Sequence, residues 1–253
     1  NLIIQLQLIY LKQSKHTTKF SKMPLDLYYH PISPPSKAVL ATAKYLNISI
    51  NVKEVDLFGG ETRTSEYLKF VLLTYKVHTL TLFYQLNPSH TVPTLVDNGF
   101  AMFESRAILQ YLANKYAPDN TIYPKNPEAR AQVDKILFFM RQVIMHRFLK
   151  IRKFFLLSLY RFSNKHKTQI PILIFKKEAS KEALDELAEK ISILESLLGE
   201  QKFFAGENIT LADISLGASV PVMKMFFKDM WPKKLESWYI RLSESVPQLP
   251  ELK

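Results

Sequence analysis

Ser33 is the hydroxyl in this chain whose surroundings suggest chemistry. It lies in YYHPISPPSKAV (28–39), among Pro31, Pro34 and Pro35, between a strand-like start and a helix-like continuation. Two more groups follow: Val92-Pro93 within LNPSHTVPTLVDNG (86–99), and Glu104-Ser105-Arg106 at the head of FESRAILQYLANKY (103–116). A proline entering a strand after an extended residue suggests a cis bond. That geometry turns the Val92 N–H and C=O outward, ready to pair with an extended, peptide-like ligand. The N–H groups of Glu104 to Arg106 are first-turn helix donors and suit a carboxylate, while the Glu104 side chain suits an ammonium. The three groups together fit a small zwitterionic peptide with a hydroxyl aimed at its middle. A hydroxyl that donates to a thiol favours the thiolate, and no base is needed nearby if the thiol belongs to the ligand. Singly, Ser33 is a turn serine and ESR a helix cap; the combination with Val92-Pro93 argues against that plainer reading.

The elements that must position these groups are readable. LDLYY (25–29) is a predicted strand, and Ser36–Leu46 a helix with Val39, Leu40, Ala43 and Leu46 on one stripe. INVKEVDL (50–57) alternates as a second strand, and FGGETRTSEYLKF (58–70) is a turn and short helix. TVPTLVD, the DNG turn at 97–99 and FAMF form a hairpin, and Glu104–Tyr116 a helix. The pattern is β-α-β followed by β-β-α, a small mixed sheet carrying helices. APDNTIYPKNPEA (117–129) reads as a boundary, and helices are expected beyond it at 128–148, 176–198, 210–228 and 232–244. Within 176–198, Leu184, Leu187, Ile191, Leu194 and Leu198 recur at three- and four-residue spacing. Thr210 and Asp213 have the form of a capping box, with Ile209 and Ile214 spaced as its hydrophobic staple. That is a folding device.

The 253 residues suffice for one large domain or two small ones. The absence of cysteine excludes disulfides, a protein thiolate nucleophile and Cys-based metal sites. The six histidines (16, 30, 78, 90, 146 and 166) form no dense cluster, so no metal is expected. A net charge of +11 invites a nucleic-acid reading. Its location argues against one: residues 1–22, 70–85 and 149–168 hold 11 of the 34 basic residues and neither an acid nor a glycine. The remainder balances 23 basic against 23 acidic residues. The 70–85 run is interrupted by Lys76 and His78 and falls short of the roughly 20 apolar residues of a membrane span. LIIQLQLIYL near the start lacks the basic head of a signal peptide, and Met23, just before PLDLYY, looks like the natural start.

These motifs closely resemble a cytosolic glutathione transferase, specifically the insect delta/epsilon classes, over roughly residues 23–247. YYHPISPPSKAV is similar to the segment whose serine faces the glutathione sulfur. LNPSHTVPTLVDNG and FESRAILQYLANKY are similar to the cis-proline and carboxylate-binding segments, and LADIS (211–215) to the capping-box segment. The resemblance implies an α/β thioredoxin-like N-terminal domain followed by an all-α helical C-terminal domain. The expected organisation is a non-native leader at 1–22 and a glutathione-binding domain at 23–116 with an atypical insertion at 70–85. A linker at 117–127 and a helical domain at 128–247 with a second insertion at 149–168 complete it.

The resemblance further implies that Ser33 stabilises the thiolate and that Val92 pairs with the glutathione cysteine beside cis-Pro93. Glu104 and Ser105 would hold the γ-glutamyl end, Arg106 would lend charge, and His90 would approach the glycyl carboxylate. The implied enzyme is a cytoplasmic homodimer that uses glutathione as co-substrate, with no metal, against small hydrophobic electrophiles. It would serve xenobiotic detoxification, with dehydrochlorination as an added activity and neither nucleic acid nor membrane as partner. The alternative is a non-catalytic relative that binds glutathione or apolar ligands. Three features depart from the pattern: Thr62 replaces a glycyl-end histidine, Met140 an aspartate, and Gln142 a small glycine. The two insertions and the leader are most simply translated non-coding sequence, with real surface loops as the rival account.

Overall fold

Leu27 and Tyr28 point to opposite faces of β1 (Asp26–Tyr29), and both are buried, which makes β1 an interior strand. It pairs in parallel with β2 (Asn51–Glu54) and antiparallel with β3 (Thr94–Asp97), which pairs antiparallel with β4 (Phe100–Phe103). The sheet order is β2-β1-β3-β4. This computed structural model describes residues 25–55, 86–87, 89, 91–140, 181–227, 231–247 and 249. The leader 1–22, both insertions, Thr62, His90 and Gln142 lie outside them.

α1 (Pro34–Tyr45) connects β1 to β2. It begins two residues before the expected Ser36, because Pro34 and Pro35 occupy first-turn positions where no N–H is required. The β3–β4 hairpin turns at Asn98 (φ 48°) and Gly99 (φ 85°), the two left-handed residues that a tight right-twisted hairpin demands. α2 (Ser105–Tyr116) follows β4.

The remaining described elements are helical: α3 (Pro127–Met140), α4 (Lys181–Leu198), α5 (Leu211–Gly217), α6 (Val220–Phe227) and α7 (Lys233–Ser245). The single helix expected at 210–228 is thus two. Pro221 has no N–H to offer the Gly217 carbonyl, so the α-helical ladder cannot continue. The Ser219 N–H bonds to the Leu216 carbonyl instead (2.8 Å), and a new helix starts at Val220.

α5 is the centre of the molecule: every one of its seven residues is buried, and it packs against α1, α2, α3, α6 and α7. Its capping box forms. The Asp213 carboxylate accepts from the Thr210 N–H (2.9 Å) and hydroxyl (2.8 Å), and also from the Phe204 N–H (2.9 Å) and Trp238 Nε1 (3.0 Å). Burial pushes this carboxyl upward, and the donated bonds work against that. Ile209 and Ile214 are both buried in the main core, and the Leu211 N–H is held by the Ile122 carbonyl of the 117–126 connection (3.0 Å). One continuous core joins Leu27, Val39, Leu95 and Leu109 to Ile136, Leu194, Ile214 and Trp238. A second, smaller cluster on the other face of the sheet gathers Tyr28 and Val55, with Val92 and Val96 packed against them.

Candidate functional site

The strand register decides which ends of the sheet coincide. Tyr28 pairs with Thr94, and Thr94 with Phe103. The end of β1, the start of β3 and the end of β4 therefore lie at one edge. That edge carries Ser33, Val92-Pro93 and Glu104-Ser105-Arg106 together, although they span more than seventy positions of sequence.

Ser33 caps α1. Its backbone is extended (φ −82°, ψ 110°), and its Oγ accepts the Ser36 N–H at 3.3 Å. Its own N–H donates to the His30 carbonyl and its carbonyl accepts from Lys37 N–H, both at 3.0 Å. Every polar atom of the residue is thus held by the chain except the hydroxyl proton, which has no acceptor among the described residues. The N–H groups of Ser36 and Lys37, both bonded to Ser33, set its side chain at the positive end of α1.

The Val92–Pro93 peptide bond is cis. The Val92 side chain packs onto the Tyr28/Val55 cluster, while its N–H and C=O take part in no hydrogen bond among the described residues. The loop before it is built around Asn87, which is fully buried. The Asn87 Nδ2 donates to the Thr91 carbonyl (2.7 Å) and the Thr94 hydroxyl (2.9 Å), and its Oδ1 accepts the Ser89 N–H (2.9 Å). One side-chain amide thereby ties Ser89, Thr91 and Thr94 together on either side of the cis bond.

Glu104 stands at φ 72°, ψ 102°, a left-handed conformation rare for a residue with a side chain. It is the N-cap of α2, makes no side-chain capping bond, and is exposed. The turn aims the first N–H groups of α2 past the sheet edge, with Ser105 nearly buried beneath. Met140 is fully buried in the main core, so that position of α3 offers packing and no charge. Among the described residues, no group of three or more His, Cys, Asp or Glu side chains is placed to hold a metal ion.

At the far ends of β3 and α2 the elements are tied to each other. Asp97 Oδ2 accepts from the Tyr111 hydroxyl, Lys115 Nζ and the Tyr116 hydroxyl, each at 2.6 Å, and Oδ1 accepts from Asn98 Nδ2 (2.8 Å). Burial alone raises the carboxyl's pKa. The bonds from Lys115, Tyr111 and Tyr116 outweigh it and hold Asp97 at about 2.

Asn87 and His30 at this edge, and Asp97 at the opposite end of β3, carry no strong signal in the sequence. Asn87 is followed by Ser/Thr partners within seven positions, a pattern that points to a loop organiser. Asp97 reads only as a turn residue, since its partners come 14 to 19 positions later. His30 reads only as an isolated histidine.

Two family models match the chain: the N-terminal domain of glutathione S-transferase over residues 27–120 and the C-terminal domain over 133–230. Glutathione S-transferase D7 of Drosophila melanogaster is 33% identical over 209 residues, covering 81% of this chain and 78% of that protein. A delta-class glutathione transferase of Nilaparvata lugens superposes with a TM-score of 0.66 at 31% identity, over 88% of this chain and 90% of that one. An epsilon-class glutathione S-transferase of the housefly, Musca domestica, superposes with a TM-score of 0.63 at 32% identity, over 89% of this chain and 94% of that one.

Proposed function

The chain belongs to the glutathione S-transferase family, and from that premise we propose that the polar edge of the sheet binds glutathione with its sulfur at Ser33. The enzyme is a glutathione transferase, with glutathione as co-substrate. The observation that carries the site reading is the state of the Ser33 hydroxyl: its oxygen is engaged by the Ser36 N–H, and its proton is free to donate.

In this reading the Ser33 O–H donates to the glutathione sulfur and stabilises the thiolate. A hydrogen bond to the charged form lowers the thiol pKa, and the helix end adds in the same sense. The Val92 N–H and C=O pair with the cysteinyl backbone beside cis-Pro93. Glu104 receives the γ-glutamyl ammonium, while Ser105 and the first turn of α2 receive its carboxylate, with Arg106 adding positive charge. His90 is assigned to the glycyl carboxylate on the resemblance alone. The thiolate then attacks an electrophilic carbon: the S–C bond forms, the leaving group departs with its electron pair, and the thiol proton has already gone to solvent. With a chlorinated substrate the same thiolate removes a proton from the carbon next to C–Cl. Chloride leaves, a C=C bond forms and glutathione is regenerated. The working form in this reading is a cytoplasmic homodimer; no described helix is long and apolar enough to cross a membrane.

Ser33→Ala tests the assignment. Turnover with a chloro-dinitrobenzene-type electrophile is expected to fall by about 100-fold, while glutathione KM changes by less than about threefold. Measuring conjugate and chloride separately on an aliphatic organochlorine distinguishes substitution from elimination. Wild-type turnover in the variant would remove Ser33 from the chemistry, and a selective rise in KM would make it a binding residue only.

A further inference from the structure

His30 holds the turn that delivers Ser33 with both its ring and its backbone. Residues His30, Pro31, Ile32 and Ser33 form a four-residue turn closed by the Ser33 N–H on the His30 carbonyl at 3.0 Å. In such a turn the N–H of the third residue ordinarily has no main-chain acceptor. Here the Ile32 N–H donates to Nδ1 of the same histidine, at 3.2 Å. One residue therefore accepts from both N–H groups of the turn. The ring is buried, with 7% of its surface exposed, whereas Ile32 is 44% exposed and receives little holding from packing. Pro31 restrains its own φ but not its ψ, so the pyrrolidine ring does not fix the peptide between Pro31 and Ile32.

We infer that His30 is a positioning residue for the thiolate step: its ring, as acceptor at Nδ1, locks the turn so that the Ser33 hydroxyl meets the sulfur with its proton forward. This rests on the reading of Ser33 as the thiolate's partner. The chemistry it needs is an unprotonated Nδ1, which places the proton of the neutral ring on Nε2. Release of the Ile32 N–H would free the Pro31–Ile32 peptide to rotate and loosen the turn that leads into Ser33. Ser33 Oγ would then exchange its fixed direction for a spread of orientations, and a hydrogen bond to the thiolate weakens steeply with misalignment. The binding groups at Val92, before β3, and Glu104, at the N-cap of α2, stand on other segments and take no part in this turn. The signature is thus a loss in thiol ionisation without an equal loss in glutathione affinity.

The test compares His30→Phe, His30→Ala, His30→Asn and Ser33→Ala in the full chain. Ultraviolet absorbance of the bound glutathione thiolate, titrated against pH, reads the sulfur directly. S-hexylglutathione, which has no thiol to ionise, reports binding. His30→Phe and His30→Ala remove the acceptor, one keeping a ring and the other adding no bulk, so either suffices if the other folds poorly. Both are expected to raise the bound thiol pKa by about one unit and lower neutral-pH turnover about tenfold. S-hexylglutathione affinity should stay within about threefold. His30→Asn presents an amide oxygen near the Nδ1 position and is expected to restore the thiol pKa. An unshifted thiol pKa in both acceptor-free variants overturns the inference, as does an equal shift in His30→Asn. Ser33→Ala separates the two levels: if it alone leaves the thiol pKa unmoved, the reading of Ser33 is what has failed.

Discussion

Asp97 shows how much a single side chain can carry when its surroundings are arranged around its charge. Three donors converge on one oxygen, and the side chain is almost fully buried. Its folded pKa of about 2 lies below the unfolded value near 3.8, so the carboxylate is more stable as an anion in the native state. A depressed pKa contributes stability that is complete above about pH 4 and is lost as pH falls through about 2. The contribution is about 2 kcal/mol at neutral pH, taken from the shift at 1.36 kcal/mol per unit. Asp97→Asn should therefore lower unfolding free energy in urea by about that amount at pH 7, and flatten its fall between about pH 4 and 2. An unchanged acid limb would mean that the network is not ionic. At this scale the sequence is least informative. Ser33 and Glu104 were legible because their neighbours, prolines and a helix start, are local; Asp97 and Asn87 are ordinary turn residues until distant or folded-back partners reach them. His30 was lost for a different reason, since a ring that accepts from its own turn looks like any isolated histidine.

Among elements, α5 is the most constrained. Its capping carboxylate also serves Phe204 and Trp238, so one residue secures a helix start, a turn and α7. Asp213→Ala leaves three buried N–H groups without an acceptor, and a stability loss of about 3–5 kcal/mol is expected. Thermal unfolding should show it as a fall in Tm of roughly 10 °C; a fall of less than about 3 °C would assign the cap a minor role. Gly217 closes the other end of this helix, where an added Cβ would come within 2.5 Å of Leu242 Cδ2 and 3.0 Å of Leu249 Cδ1. The capping box was readable because Thr210 and Asp213 are three positions apart. The break between α5 and α6 was readable too, in Pro221, but a continuous apolar pattern from Leu211 to Phe227 masked it. Helix periodicity reports burial, and α5 and residues Val220, Pro221 and Met223 of α6 are buried alike; it does not report a ladder interrupted between them.

At the scale of the whole molecule, two phenylalanines stand largely in water among the described residues. Phe100 on β4 is 55% exposed and Phe138 on α3 is 60% exposed. Single exposed apolar side chains are common on protein surfaces, and it is a contiguous patch that marks a contact. Our reading of the chain as a homodimer assigns these two to its contact, and sedimentation equilibrium is expected to find a species of twice the 29.4 kDa chain mass. Phe138→Glu should shift that equilibrium toward single chains without changing α-helical content. A wild-type chain that sediments as a monomer at micromolar concentration would remove the dimer from the picture. The fold class was legible as a whole because the β-α-β, β-β-α and helical series each left a local pattern. The shared edge of Ser33, Val92 and Glu104 was legible in the order of strands and helices, and the sheet register gives the pairing behind it.

The hairpin between Val92 and Glu104 also sets a rule about chain length. Thr94 faces Phe103 and Asp97 faces Phe100, with Asn98 and Gly99 filling the whole turn. Gaining or losing one residue here would swap the faces of a strand and turn one of its two flanking motifs away from the edge. In a surface loop, by contrast, doubling the length costs only about 0.6 kcal/mol of closure entropy. The hairpin therefore counts residues where a loop does not. Over geological time insertions and deletions are therefore expected to be confined to other parts of the chain.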